Sequence, residues 1–232
     1  MEFWQNWVID KSFSVLQELK KKYKFILIGG WAVYFLTKAI KSKDIDIVVD
    51  FEELEKMKLE LKISKTTFLK KYACELEGIS IDIYVPYYSK LALPLEEIKK
   101  SVLTIEGFKV PKPEIILILK QQAEIERRHS EKGLKDRVDL IALLWKSSID
   151  FKKYKKLLEK YNLNYRERLI EIVNQAKIEF EYLGIKNPRE IKKIKKKIIS
   201  EILQENKQES SHPSVSRNKV SHSNQLRWLK LR

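Results

Sequence analysis

Residues 25–50 read FILIGGWAVYFLTKAIKSKDIDIVVD, and the rest of the chain is organised around them. Phe25 to Ile28 is a continuous apolar run, which predicts a buried strand. Gly29 and Gly30 end it. Trp31 to Ile40 carries helical spacing at Trp31, Tyr34, Phe35 and Lys38, with no breaker. Lys41-Ser42-Lys43 is the turn. Asp44 to Val49 alternates with period two and is β-branched, so it predicts a second strand. Thirteen residues separate Gly30 from Asp44, room for one helix and a turn. The glycines end one strand and the acids begin the next, so they meet most easily if the strands run antiparallel.

Asp44 and Asp46 fall on one strand face, roughly 6–7 Å apart, while Ile45, Ile47 and Val49 point to the core. Aspartate is unfavourable inside strands, and two like charges repel unless something neutralises them. A divalent cation does so with oxygen ligands. An isolated D-x-D is more often a solvent-facing pair. Here Ile81-Asp82-Ile83 repeats the design on a later strand. If that strand neighbours the first, Asp82 completes a three-carboxylate cluster of the kind that holds one or two Mg²⁺ (or Mn²⁺) ions for in-line phosphoryl or nucleotidyl transfer. Gly29-Gly30, at a strand-to-helix junction, lets backbone approach a ligand and presents helix N–H groups to phosphate. Alone, such a pair is more often a plain turn. The chain has no G-x-G-x-x-G and no G-x-x-x-x-G-K-[ST], which argues against dinucleotide-binding and P-loop folds.

Around this unit the periodicity predicts a helix over Phe3–Tyr23 and another over Phe51–Leu61. Phe68–Leu76 and Ile79–Val85 read as strands of a hairpin about Glu77-Gly78. A short helix follows at Leu95–Lys100, then a strand pair over Val102–Val110 broken at Gly107. Pro111 and Pro113 mark a boundary, giving a first domain over 1–112 and a helical domain over 113–205. The helices expected there are Glu114–Arg128 with Pro113 near its first position, Leu134–Trp145, Phe151–Tyr161, Tyr165–Leu183, and Pro188–Leu203 capped by Asn187. Residues 206–232 turn to Ser, Asn, His and Gln without periodicity and predict a disordered tail.

The 232 residues carry 47 Lys+Arg against 32 Asp+Glu, a net of +15. From Phe151 onward 21 basic residues face 9 acidic ones, so +12 of that excess lies in the last third. Such a field favours polyanions, nucleic acid above all; a solvated Lys-rich surface is the plainer alternative. Cys74 is the single cysteine and reads as a buried strand residue, which excludes a disulfide framework and a cysteine zinc site. His129, His212 and His222 lack metal-ligand spacing. Trp4 and Trp7 read as helix-packing residues. Tyr84, Tyr87 and Tyr88 read as core and rim packing, with base stacking as the other option. Without a secretory leader or a long apolar run, a soluble cytoplasmic protein with no membrane span is expected.

The order Gly-Gly, then Asp-Ile-Asp-Ile after a helix, then Ile-Asp-Ile on a later strand resembles the DNA polymerase β-type nucleotidyltransferase superfamily over roughly Lys24 to Val85. The resemblance implies an α+β nucleotidyltransferase fold, a mixed sheet flanked by helices, here followed by an all-helical C-terminal region. It also implies an NTP donor, Mg²⁺ on Asp44, Asp46 and Asp82, and triphosphate against Gly29 and Gly30. The later order Pro113-Glu114, Leu119-Lys120, Ala123, Arg127-Arg128, Lys135-Asp136, Asp139-Leu140, Leu143-Leu144 is similar to the AbiEii-type nucleotidyltransferases, which include toxins of toxin–antitoxin and abortive-infection systems. By that match Lys120 contacts the triphosphate and Asp136 orients it or acts as a base, with Lys135 and Arg127 on the same nucleotide side. Bulky Trp31 stands where that pattern commonly has a small residue. On chemistry alone, Lys120 could equally be a snorkelling surface lysine, Asp136 a solvent-facing acid, and Asp139 an i,i+4 partner of Lys135. The expected activity is transfer of NMP from an NTP to an acceptor, with tRNA the leading acceptor and an antitoxin protein as partner. The alternatives are a non-catalytic RNA- or protein-binding module of this fold, or nucleotidylation (AMP or UMP) of a protein.

Overall fold

The computed structural model describes residues 6–67 and 70–203. The expected tail at 206–232, Trp4 and the start of the hairpin at 68–69 lie outside the described residues.

The central unit folds as the glycines and acids require. Strand β1 (Ile26–Ile28) leads directly into helix α2 (Gly29–Thr37), which starts at the glycines rather than after them. The helix stops at Lys38, which takes a left-handed φ of 53° and returns its N–H to the Tyr34 carbonyl at 2.7 Å. Strand β2 (Ile45–Val48) then pairs antiparallel with β1, with Ile28 opposite Asp46. Helix α1 (Asn6–Lys22) precedes this unit and α3 (Phe51–Glu60) follows it.

Strands β4 (Lys71–Leu76) and β5 (Ile79–Tyr84) form the expected hairpin. Glu77 and Gly78 both have positive φ, the geometry a tight two-residue hairpin needs. β5 pairs parallel with β2 and sets Asp82 opposite Asp46. An outer strand, β3 (Ser64–Thr66), pairs with β4. Its sequence Ser-Lys-Thr has no apolar periodicity, so the pattern did not predict it. After α4 (Leu95–Lys100), β6 (Val102–Ile105) and β7 (Phe108–Pro111) make a second hairpin, and β7 joins β1 in parallel. The mixed sheet runs β3-β4-β5-β2-β1-β7-β6.

Beyond it stand α5 (Pro113–Arg127), α6 (Glu131–Lys146), α7 (Phe151–Lys160), α8 (Arg166–Gln175), α9 (Ile178–Tyr182) and α10 (Pro188–Leu203). The segment expected as one helix over Tyr165–Leu183 is two. It breaks at Ala176-Lys177 because Glu179 accepts the Lys177 N–H at 3.1 Å and is itself held by Arg137 at 2.9 Å. That tertiary anchor overrides local propensity and turns Phe180 into the core. Asn187 caps α10 as expected, accepting from the Arg189 N–H at 2.9 Å. Helices α5 and α6 pack on α2, and one apolar cluster runs from Ile9 to Ile202. No helix among the described residues is long and apolar enough to cross a membrane.

Trp31 is fully buried. Its ring lies 5.3 Å from Phe13, and its Nε1–H donates to the buried Ser12 hydroxyl at 2.9 Å, locking α2 onto α1. The large side chain therefore points into the core, away from the glycine turn. Trp7 differs from the expectation of packing: it is 65% exposed. Replacing Trp31→Ala should cost about 3–5 kcal/mol in urea denaturation. Trp31→Phe should lose clearly less, since it keeps most of the volume and strands only the Ser12 hydroxyl.

Candidate active site

Strands β1, β2, β4 and β5 and helices α2, α5 and α6 meet at one cleft of about 340 Å³. Its lining includes every residue singled out from the motifs: Gly29, Gly30, Asp44, Asp46, Asp82, Lys120, Lys135 and Asp136. The cleft has two unlike walls. The sheet side carries Asp44, Asp46 and Asp82, with Lys71 beside them. The helices carry Lys120, Arg127, Lys132 and Lys135, interleaved with Glu126, Asp136 and Asp139.

On the sheet wall the register decides the geometry. β2 sits between β1 and β5, so Asp46 has Ile28 on one side and Asp82 on the other. Adjacent strands lie about 4.8 Å apart, so Asp46 and Asp82 are close neighbours on one face. The Asp46 carboxyl also packs against Gly29. A Cβ on Gly29 would stand 2.1 Å from Asp46 Oδ2, and Gly29 has φ +65°, so only glycine fits there. Gly30 is similarly tight, since a Cβ would meet Ser42 Oγ at 2.6 Å. Burial pushes the Asp46 pKa up to about 6, and the charge of Asp82 adds to the effect. Asp44 is half-buried just ahead of β2.

Sequence reasoning missed Lys71. Its ammonium donates to Asp82 Oδ2 from the neighbouring strand β4. Among the described residues no three His, Cys, Asp or Glu groups are gathered as a metal-holding set. The donor set still suits a hard divalent cation in kind. Three carboxylates from the sheet side border one cleft, and oxygen donors of that kind are what such a cation takes.

The helix wall is a buried charge network. Lys120 is 7% exposed, not a snorkelling surface lysine, and Asp136 is fully buried, not a solvent-facing acid. Lys120 Nζ lies 3.0 Å from Asp136 Oδ1 and 2.7 Å from Asp139 Oδ2. Arg127 forks onto Asp136, with Nε 2.7 Å from Oδ2 and Nη2 3.0 Å from Oδ1. Lys135 pairs with Asp139 one turn along α6, the i,i+4 contact anticipated, but in the interior. Burial would lower the Lys120 pKa, yet Asp139 and Asp136 outweigh it and hold the ammonium charged. Burial works to raise Asp136, and Lys120 with Arg127 hold it below the usual range instead. Lys135 is pulled down by burial. Three cations against two carboxylates leave this wall with one positive charge in excess.

The tyrosines divide. Tyr84 lines the cleft, Tyr88 packs on Tyr72 at 5.4 Å, and Tyr87 is 95% exposed rather than packed. Cys74 is free and buried, as expected.

No protein-family model matches the chain, and no curated protein matches it. Among solved structures it is similar to JHP933 from Helicobacter pylori, at 15% identity and a TM-score of 0.50, over 87% of this chain and 96% of that one. It is also similar to a candidate nucleotidyltransferase from H. pylori, at 15% identity and a TM-score of 0.50, over 87% of this chain and 98% of that one. The aminoglycoside-bound structure of ANT(2")-Ia overlaps more loosely, at 17% identity and a TM-score of 0.43, over 69% and 99% of the two chains. At such identities the likeness is one of fold. The mixed sheet with flanking helices and a helical C-terminal region is an α+β nucleotidyltransferase fold.

A raised carboxyl pKa means the folded state binds a proton more tightly than the unfolded chain, so stability falls as pH rises from 3.8 through about 6. In metal-free buffer near pH 7, Asp46→Asn should therefore stabilise the protein, on the order of 2 kcal/mol. The gain should narrow when chemical denaturation is repeated near pH 5. An unchanged or widening gap would contradict the burial of that charge.

Proposed function

We propose that this chain is a divalent-cation-dependent nucleotidyltransferase that moves NMP from an NTP to an acceptor hydroxyl. The observation that supports it is the cleft in which Asp44, Asp46 and Asp82 on the sheet side face Lys120, Arg127 and Lys135 on the helices beside a glycine turn. Six carboxylates and six cationic side chains line it. That balance suits a triphosphate accompanied by divalent cations better than a bare polyanion.

In this reading Gly29, Gly30 and the first N–H groups of α2 receive phosphate oxygens. Lys120 and Arg127 supply positive charge on the opposite side, with Lys135 behind them. Asp136 and Asp139 act as positioning residues that hold these cations. The lowered pKa of Asp136 makes it a poor proton acceptor, so a role as base is not proposed. Asp44, Asp46 and Asp82 would hold Mg²⁺ (or Mn²⁺), which when bound stabilises charge on the transferring phosphoryl group. Asp82 takes the proton of the acceptor hydroxyl after Lys71 releases it. The acceptor oxygen bonds to the α-phosphorus, the bond to the β-phosphate's bridging oxygen breaks, and pyrophosphate leaves.

The motif order on α5 and α6 favours an AbiEii-like branch, with a toxin's role in a toxin–antitoxin pair, an antitoxin protein as partner and tRNA as the acceptor. The +12 charge beyond Phe151 supports an RNA acceptor. A second reading is a non-catalytic module of the same fold. The Lys71–Asp82 pair favours it, because the ammonium already neutralises one of the three acids.

Asp44→Asn with Asp46→Asn should abolish transfer of label from an α-labelled NTP to total RNA or to cell protein. Which fraction the unaltered chain labels separates an RNA acceptor from protein nucleotidylation, and transfer by the double variant would refute the assignment. Lys71→Met should free Asp82 and tighten Mn²⁺ binding, by about tenfold in calorimetry. Equal affinities in the two proteins would leave Asp82 outside the metal set.

A further inference from the structure

We propose that the helical C-terminal region holds a nucleic-acid strand along a basic track, which runs from the candidate active site to a groove between α8–α9 and α10. What the strand would deliver there rests on the nucleotidyltransferase reading; its binding to the track does not.

The groove encloses about 1010 Å³, more than the cleft itself. Five lysines line it against one glutamate, Glu181. Lys195 is spent internally, donating to the Asn174 carbonyl at 2.8 Å. Lys177, Lys186, Lys192 and Lys196 are exposed, and none has a carboxylate partner among the described residues. Lys192 and Lys196 are one helical turn apart on α10, so both present their charge on the same side.

The groove adjoins a second hollow, whose far end is next to the cleft's Arg127 in sequence. That hollow, of about 550 Å³, shares Lys177 with the groove and reaches Arg128 and His129. Those two residues directly follow Arg127, which lines the cleft. The arginines in between, Arg137 and Arg168, are compensated by Glu179 and Glu124 and serve to shape the floor. The attraction therefore comes from the unpaired lysines of the groove, and the cleft, whose charges balance, adds only local contacts.

A long, uniformly charged ligand fits such a track. Point cations without partners suit successive phosphodiesters, and their counterion release drives binding. The chain's own residues 204–232 are an unsuitable occupant, since they carry six basic and two acidic side chains. An acidic protein would satisfy the groove but has no reason to continue into the cleft.

The test is fluorescence anisotropy on the full chain, with a labelled single-stranded RNA and a DNA of the same sequence. Lys186→Glu, Lys192→Glu and Lys196→Glu together should weaken binding at least tenfold and reduce the salt slope by about 2, at roughly 0.7 per lost contact. A control reversing Lys24, Lys100 and Lys109, none of which lines the track, should change affinity less than about threefold. If the triple variant fails to fold by circular dichroism, Lys192→Ala with Lys196→Ala must weaken binding in the same direction. Absence of salt-dependent binding, a groove variant that behaves like the control, or better displacement by polyglutamate than by RNA would each overturn the track. NTP binding measured in parallel keeps the two readings apart. Strand binding lost in the groove variant upholds the track even if the unaltered chain binds no NTP. Intact NTP binding with no strand binding sinks the track alone.

Discussion

The close approach of Asp46 to Gly29 is the contact on which the cleft depends. Antiparallel pairing of β1 and β2 sets Ile28 opposite Asp46, so the residue after Ile28 must turn away at once or collide with the carboxylate. A left-handed φ and a missing Cβ let it do so. The same turn starts α2 beside the acid. One glycine thus joins a helix N-terminus to a carboxylate wall, and the fully buried Trp31 anchors that helix through Ser12 and Phe13.

The helix wall meets a different constraint. Lys120 and Lys135 are almost wholly buried, and a lone buried ammonium would shed its proton. Asp136 and Asp139 keep Lys120 charged, at the cost of two more buried charges. Such networks are poor sources of stability, since apolar residues of like volume often serve as well. Their use lies in holding cations at set positions. Charge fixed in advance loses little in reorganisation when an anion arrives.

Much of this was legible in the chain, and the reasons differ by element. The continuous apolar run at Phe25–Ile28 and the period-two runs at Asp44–Val49 and Ile79–Val85 fall on real strands, because burial on both faces enforces the first pattern and burial on one face the second. The antiparallel sense of β1 and β2 followed from asking where glycines and acids could meet. β3 escaped because an exposed edge strand needs no apolar pattern. The break at Ala176 escaped because its cause, the capture of Glu179 by Arg137, lies 42 residues away in sequence. Lys71 is the instructive omission. A two-residue turn at Glu77-Gly78 fixes Ala73 opposite Asp82, which puts Lys71 on the same face one pleat further on. The hairpin had been read; its register had not been followed to the neighbouring lysine. For Lys120 and Asp136 the spacing left a surface role open, since helical periodicity does not tell how deeply a polar face is covered by another helix.

The two kinds of cation in this molecule bear on how it would discriminate ligands. In the cleft, Lys120 and Lys135 share their charge with Asp136 and Asp139, so their net field at a distance is small. They act on a phosphate only at contact, where geometry can select. Along the C-terminal groove the lysines are uncompensated and exposed, so their field extends over a Debye length, about 8 Å at physiological salt. That field attracts without selecting. Recruitment and recognition are thereby assigned to different surfaces, and they should respond differently to ionic strength. Salt weakens the outer surface first, while the buried pairs of the cleft are screened much less. The division follows from where the carboxylates are placed rather than from how many lysines there are.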